Sequence, residues 1–389
     1  METARKVLLV KILHVYKDFY PPINGGMERH ISLMCRFQRQ WADVEALVCG
    51  RRLLTRVVER DGIRVTEVGE WGRFQSAPIS PGFPWRLRRA SADIVVIHTP
   101  NPTAEISYLL TRPHGRLVVR YHSDVVRQAS AMKAYGPVLV KFLLEADIII
   151  PTSEQYAHTS PTLRSVLDRC SEKRRDRLIR VVPLGILPEE FTPPDSAVVE
   201  RLRRSYGGHY VLFSGMHRYY KGLEYLVRAA GRIRVPVVMA GDGPERERMM
   251  ALARELGVSI TFPGALSHAD LVAHLYGCDV FAFPSVERSE AFGLSMLEAH
   301  ACGKPVVATR LGTGVEFVNL DGETGLNAPP RDSEALADAI NALLDEPERA
   351  RAMGEFARKR VERDFRAERV ARAEFELYQE VLECRTSHT

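Results

Sequence analysis

Short apolar runs separated by helix-length segments recur along the chain, and this alternation restricts the possible folds more than any other feature of the sequence. Val44–Val48, Ile63–Val68, Ile94–Ile97, Leu117–Arg120, Ile148–Ile150 and Leu178–Val182 are apolar at nearly every position rather than at every second one. A strand of that kind needs cover on both faces, which is the condition of a parallel sheet between two helical layers. An earlier run, Lys6–Val10 continuing toward Ile12 and Leu13, leads into the loop Tyr20-Pro21-Pro22-Ile23-Asn24-Gly25-Gly26. Met27 then opens a helix with Ile31, Leu33, Met34 and Phe37 at helical spacing. The expected domain is a doubly wound α/β sheet, whose ligands sit beyond the carboxyl ends of its strands.

A length of 389 residues exceeds one ordinary core and predicts two domains. Proline punctuation at Pro183, Pro188, Pro193 and Pro194 places the boundary near 190, giving domains at 1–190 and 191–365. The second half repeats the alternation: strands at Tyr210–Gly215, Val235–Val238, Ile260–Gly264 and Val280–Phe283, then helices from about 333 to 384. A hydrophobic content of 45% and a charged content of 26% exclude a disordered or fibrous chain. The six cysteines are scattered without a Cys-x-x-Cys pair, so neither a zinc site nor a disulfide framework is expected, and a reducing cytoplasm is the natural compartment. The stretch Val7–Val15 is short and broken by Lys11 and His14, which reads as a buried strand rather than a signal or anchor.

Charge is uneven. Residues 1–190 hold 29 basic against 20 acidic side chains, and the remainder 25 against 29. The basic clusters Phe83–Arg89 and Lys173–Arg177 fit either a surface leaning on the inner face of a membrane or an ordinary solvated surface. Nucleic acid is not an expected partner.

The chemistry concentrates at Pro284–Ala299. Pro284 stops the strand, Leu294, Leu297 and Ala301 recur at helical spacing, and a helix is expected to start near Phe292 or Gly293. Glu290 then precedes the helix and Glu298 rides on it, about 8 to 9 Å further along at the helical rise. The helix N-terminus favours an anion, and Gly293 permits its close approach. Sugar, diphosphate and ribose in one extended ligand would match that layout. Upstream, Gly215 ends a strand and is followed by Met216, His217, Arg218, Tyr219, Tyr220, Lys221 and Gly222 before a further helix. Two cations in a loop between glycines, leading into a helix, suit a diphosphate.

The Glu290-x7-Glu298 element, with the following Ala299-His300-Ala301-Cys302-Gly303-Lys304-Pro305, resembles the signature of retaining, family 4 glycosyltransferases of the GT-B fold, the bacterial mannosyltransferases among them. The resemblance implies two Rossmann-like domains facing across a cleft, residues 366–389 forming a helix that crosses back to the first. It makes Glu290, with the amides of Ala291, Phe292, Gly293 and Leu294, the contact for sugar and phosphate, and Glu298 the ribose contact. Lys221 and Arg218 become the diphosphate cations, beside Gly215, and Gly264 the edge where the nucleobase is held by backbone. In the first domain it assigns Gly25 and Gly26 to the donor phosphates and His122, after the strand Leu117–Arg120, to the transferred sugar. Ser123 or Asp124 is expected to cap the next helix. One departure stands out: Met216 occupies a position where the family usually has arginine.

The implied reaction moves a hexose from a nucleotide sugar to a lipid-linked or saccharide acceptor in envelope or exopolysaccharide synthesis, with retention. His122–Gln128 and Tyr219–Gly222 favour GDP-mannose as donor. A UDP-sugar, a GT-B sugar-nucleotide epimerase, or a non-catalytic nucleotide-sugar binder are the alternatives. No Asp-x-Asp pair occurs in the sequence, so no divalent metal or other cofactor is expected to be required.

Overall fold

The computed structural model describes residues 10–23, 25–74, 77–125 and 129–384. Residues 6–9 of the first expected strand, Asn24, and Val126, Arg127 and Gln128 lie outside these. The chain divides into two compact units, one running to Gly185 and resuming at Ala367, the other spanning Ile186–Arg366.

The first unit is built on strands β1 (Lys11–Val15), β2 (Asp43–Gly50), β3 (Arg56–Arg60), β4 (Ile63–Gly69), β7 (Ile94–Thr99), β8 (Arg116–Tyr121) and β9 (Ile148–Pro151), in the sheet order β3-β4-β2-β1-β7-β8-β9. A separate small hairpin pairs β5 (Gly72–Phe74) with β6 (Ala77–Ile79). Every residue of β7 and of β9 is buried, as strands covered on both faces require. From β1 the chain winds one way to β2 and β4, then returns to the other side of β1 at β7, so the strand order reverses between β1 and β7.

Two details of this sheet depart from expectation. Its edge is antiparallel: β3 pairs with β4 through a two-residue turn in which Asp61 and Gly62 have φ of 48° and 74°. Both lie in the left-handed region that a type I′ hairpin turn demands, and Asp-Gly is a favoured pair for it. The run Leu178–Val182 is not a strand. Leu178 ends the helix Glu172–Leu178, and only a single bridge, Ile149 to Ile179, joins the extended remainder to β9.

The helix Ala367–Glu383 belongs to this first unit and packs on the helix Gly26–Gln38. Its inner face carries Val370, Phe375, Tyr378 and Val381, all buried, and the Phe375 ring lies 5.5 Å from that of Trp41.

The second unit holds an all-parallel sheet of β10 (Val211–Ser214), β11 (Val237–Ala240), β12 (Ile260–Gly264), β13 (Val280–Phe283), β14 (Val306–Thr309) and β15 (Gly325–Ala328), ordered β12-β11-β10-β13-β14-β15. Strands β10, β13 and β14 are almost wholly buried, against helices that contribute Leu226, Val227, Leu336 and Ile340. Here the reversal falls between β10 and β13. In both units the crevice beyond the strand ends at such a reversal is where an open α/β sheet binds its ligand.

Candidate functional site

The loops leaving β10 and β13 diverge at the second unit's reversal point, and they carry the two residues the sequence singled out. Lys221 ends a short 3₁₀ turn, Tyr219–Lys221, and its Nζ lies 2.5 Å from Glu290 Oε2. Both side chains are nearly buried, at 12% and 11% exposure. Ser285 Oγ donates to the same carboxylate oxygen at 3.1 Å, and Thr313 Oγ1 donates to the Glu290 carbonyl at 2.9 Å. The ammonium sits 4.8 Å from the centroid of the Phe283 ring and 5.5 Å from that of Tyr220. Burial pulls the Lys221 ammonium down, but the charge of Glu290, Tyr220 and the hydrogen bond to Glu290 together hold it above lysine's ordinary range. Lys221 therefore stays charged at neutral pH.

Two glycines make the approach possible. Gly222 has φ 62°, and a Cβ there would strike the Pro284 carbonyl, so the lysine loop and the glutamate loop meet only through a residue without a side chain. Gly293, at φ 96°, caps the helix Leu294–Ala301 and makes no side-chain cap hydrogen bond. The helix thus starts a residue later than expected. Only the four intervals from Leu294 to Glu298 are helical, about 6 Å of rise. Ala291 and Phe292 are buried, Phe292 against Phe317 and Phe365, while Leu294 and Glu298 are half-buried on the helix.

Arg218 does not join this pair. It is exposed, its Nε lies 2.9 Å from Met216 Sδ, and it lines a cavity of about 310 Å³ with Arg248, Arg331, Glu224, Glu245 and Glu287. The loop therefore separates its two cations, Lys221 onto Glu290 and Arg218 over Met216. Gly215 follows β10 and Gly264 ends β12, where the Gly264 carbonyl accepts from the Gly241 amide at 2.7 Å.

In the first unit, Gly25 caps the helix Gly26–Gln38 and His122 follows β8, its amide bonded to the Thr99 carbonyl at 3.1 Å. His122 is 1% exposed. Its Nε2 lies 2.9 Å from His98 Nδ1, His98 Nε2 lies 3.0 Å from His14 Nδ1, and His14 Nε2 lies 2.8 Å from Gln38 Oε1. Three imidazoles on three neighbouring strands thus form one row across the carboxyl ends of β1, β7 and β8. His30, on the same helix as Gln38, sets its ring edge-on to His122 at 5.9 Å between centroids. Burial, and then the charge of Arg120, holds His122 and His30 well below the usual imidazole range; His98 is depressed by burial and by His122, and burial takes His14 down to about 4. All four are neutral at pH 7.

Sequence reading missed His14, His30, His98 and Gln38 as members of this group. The available signal was a histidine inside two otherwise apolar central strands, Lys11–Val15 and Ile94–Thr99. The Asp124 carboxylate accepts from the hydroxyls of Tyr121 at 2.9 Å, Tyr156 at 3.0 Å and Ser160 at 2.6 Å, while the residues just before the next helix, where a cap was expected, lie outside the described ones. Among the described residues no three His, Cys, Asp or Glu side chains gather as a metal site.

The basic clusters differ in kind. In the helix Phe83–Arg89, Phe83 and Leu87 are buried, whereas Trp85 is 48% exposed with Arg86 and Arg89 over its ring. In Lys173–Arg177, Arg174 donates to the Leu144 and Ala146 carbonyls and Arg175 to the Leu167 carbonyl, so these two cations tie down the ends of neighbouring helices. Among the described residues no helix is long and apolar enough to cross a membrane.

Comparison with known proteins agrees with this arrangement. Residues 200–360 match the family described as Glycosyl transferases group 1, and residues 25–163 match the Glycosyl transferase 4-like domain. The chain is 35% identical over 383 residues to O-antigen chain mannosyltransferase C of Escherichia coli, covering 97% of this chain and 100% of that one. It is 34% identical over 366 residues to D-rhamnosyltransferase WbpZ of Pseudomonas aeruginosa, covering 92% and 93%. Among solved structures, a sucrose-phosphate synthase from Thermosynechococcus elongatus superposes with a TM-score of 0.79 at 23% identity, covering 96% of this chain and 100% of that one.

Proposed function

The chain belongs to the group 1 glycosyltransferases, with the two Rossmann-like units of the GT-B fold, and from that premise we propose that it transfers mannose from GDP-mannose to a lipid-linked or saccharide acceptor in envelope polysaccharide assembly. The observation that carries this reading is the Lys221–Glu290 pair at the reversal point of the second sheet. A charged, nearly buried lysine held in place by Glu290, with the N-terminus of the helix Leu294–Ala301 on the same glutamate loop, would supply donors and positive charge for a departing nucleoside diphosphate. Lys221 is assigned to the diphosphate and Glu290 to hydroxyls of the transferred sugar, with the amides of Ala291 to Leu294 beside it and Glu298 on the ribose. Arg218 is an auxiliary cation, because its side chain is exposed and turned onto Met216.

Retention follows if the acceptor oxygen attacks the anomeric carbon on the face the diphosphate leaves. The new C–O bond forms as the carbon–phosphate-oxygen bond breaks, and the leaving phosphate oxygen takes the acceptor proton. No carboxylate nucleophile is then required. Fixed cations in place of a metal, in a sequence without an Asp-x-Asp pair, support metal-independent transfer. Mannose is favoured by the full-length similarity to an O-antigen mannosyltransferase, and GDP by the resemblance carried at Tyr219–Gly222.

The test is turnover with purified chain, chelator present, offering GDP-mannose and UDP-glucose in parallel to a saccharide-lipid acceptor. GDP release that depends on acceptor is expected. Release only from UDP-glucose replaces the donor assignment, loss of activity restored by Mg²⁺ removes metal independence, and donor binding without turnover favours a non-catalytic binder.

For the acceptor side we propose contact with an anionic lipid surface through the first unit. Leu54, Trp71 and Phe74 are 82%, 73% and 67% exposed, and Trp85 stands among Arg86, Arg88 and Arg89. Apolar rings interleaved with arginines suit a headgroup layer. Sedimentation with anionic but not neutral vesicles is expected, weakened by Trp85→Ser; equal behaviour with both lipids overturns it.

A further inference from the structure

The row of histidines ends at a carboxylate, and the carboxylate gives the row a direction. Glu374, on the helix Ala367–Glu383, is fully buried with Arg120, whose Nε lies 2.9 Å from Glu374 Oε1. Burial pushes the Glu374 carboxyl up, and the Arg120 charge with the Tyr378 and Gln38 hydrogen bonds pulls it back; beside an arginine that keeps its proton even when buried, the group is assigned as a carboxylate, which can only accept. Gln38 lies between Glu374 and His14. Its amide nitrogen must therefore donate to Glu374 Oε2, at 3.4 Å, which leaves the amide oxygen for His14. An oxygen there requires a proton on His14 Nε2, and a neutral imidazole with that proton has a bare Nδ1. His98 must then donate from Nε2 to His14 Nδ1, and by the same step His122 must donate from Nε2 to His98 Nδ1. Each assignment forces the next. The last atom of the chain, His122 Nδ1, is buried, carries a lone pair, and has no hydrogen-bond partner among the described residues.

We propose that Gln38, His14 and His98 are positioning residues that lock His122 in its Nε2–H tautomer, so that Nδ1 is presented as a hydrogen-bond acceptor for a hydroxyl of the transferred sugar. This rests on the reading that His122 meets that sugar. It deepens the reading by fixing the sign of the contact: the facing group on the sugar must donate. A hydroxyl satisfies this, whereas a carboxylate in its place would meet a lone pair with a negative charge. An unpartnered buried acceptor is costly in a merely structural network, but is what a site built to recognise a hydroxyl leaves exposed to its ligand.

The lock is tested on the full chain by ¹⁵N NMR of histidine-labelled protein near pH 7.5, with resonances assigned by single substitutions. His14, His98 and His122 should each show a protonated Nε2 and a bare Nδ1. His98→Leu cuts the chain and should release His122 into a mixture of tautomers, with kcat reduced at least roughly tenfold and KM changed less. His98→Gln should restore the wild-type tautomer and most of kcat, because an amide offers one donor and one acceptor at about the spacing of the two ring nitrogens. A His122 protonated at Nδ1 in the wild-type protein, or one unmoved by His98→Leu, overturns the lock, and the wild-type spectrum decides the first point even if the leucine variant does not fold. Wild-type turnover by His122→Ala instead overturns the sugar contact itself, and with it the purpose of the lock, whatever the resonances show.

Discussion

Where its strand order reverses, the first unit holds three uncharged imidazoles in a row, and the second holds an ammonium against a carboxylate. The two arrangements offer different things to a ligand. A lysine is a point charge with three rotatable donors, so it attracts an anion without fixing its orientation. A neutral imidazole exerts little long-range field, but each of its nitrogens is either donor or acceptor, and the choice is passed along the row. On the proposed function, the ammonium would hold phosphate charge and the imidazole row would read how hydroxyls point. The first unit does contain an ion pair, Arg120–Glu374, but it stands behind the histidines with both side chains at 0% exposure, whereas the second unit's pair retains 12% and 11%.

That difference can be broken most forcefully at Arg120. Arg120→Met leaves Glu374 buried without its partner and removes bonds to the carbonyls of Ile150, Val182 and Pro183, and should cost about 3–5 kcal/mol in urea unfolding. Lys221→Met should cost clearly less, since Glu290 keeps Ser285 and some access to water. Equal losses would mean that the two pairs are alike in kind.

Catalysis should reverse the ranking. Glu290→Ala and Lys221→Ala are each expected to lower kcat on the order of 10²- to 10³-fold with the fold retained, the magnitude found on removing a preorganised charge-stabilising group. Near-wild-type turnover in a folded Glu290→Ala protein would sink the donor-site assignment.

The smallest effect is a slope. A histidine whose folded pKa is depressed stabilises the fold fully above the unfolded value of 6.5, and that contribution is lost as pH falls toward the folded value. His14, taken to about 4 by burial, should contribute about 3 kcal/mol above pH 6.5 that disappears on acidification. Lys221 behaves oppositely: raised above 10.5, its contribution is present below the unfolded lysine pKa and lost as pH rises through the folded one. His300 in the second unit, brought to about 3 by burial, adds an acid loss of its own, so variants assign the effect better than the slope alone. His14→Gln should make the loss between pH 6.5 and 4 smaller without abolishing it, because His30, His98, His122 and His300 are depressed as well; urea midpoints across the range decide it.

The central strands were legible because burial on both faces leaves an unbroken apolar run, as in β7 and β9. The edge strand β3 was not, since Arg56, Glu59 and Arg60 disguise it, although Asp61-Gly62 announced its turn. Leu178–Val182 misled for the converse reason: it is apolar enough for a strand, but Leu178 ends a helix and the rest meets β9 through only the Ile179 bridge and the amides of Arg180 and Val182, too little for a strand. At the site, Lys221 and Glu290 could be read because each lies in a local loop-to-helix pattern. The row through Glu374, Gln38, His14, His98 and His122 could not, because its members are joined only by the fold and by no spacing along the chain.

The helix Ala367–Glu383 gives the molecule an unusual order of assembly. As the chain leaves the ribosome, Ile186–Arg366 emerges as one uninterrupted run, whereas the unit that begins earlier lacks Glu374 until the whole of the second unit has been made. Until then Arg120 has no carboxylate to neutralise it, and Gln38 nothing to orient it. The later-emerging unit can therefore close first, and the polarity of the histidine row is set only once the helix Ala367–Glu383 has followed it out.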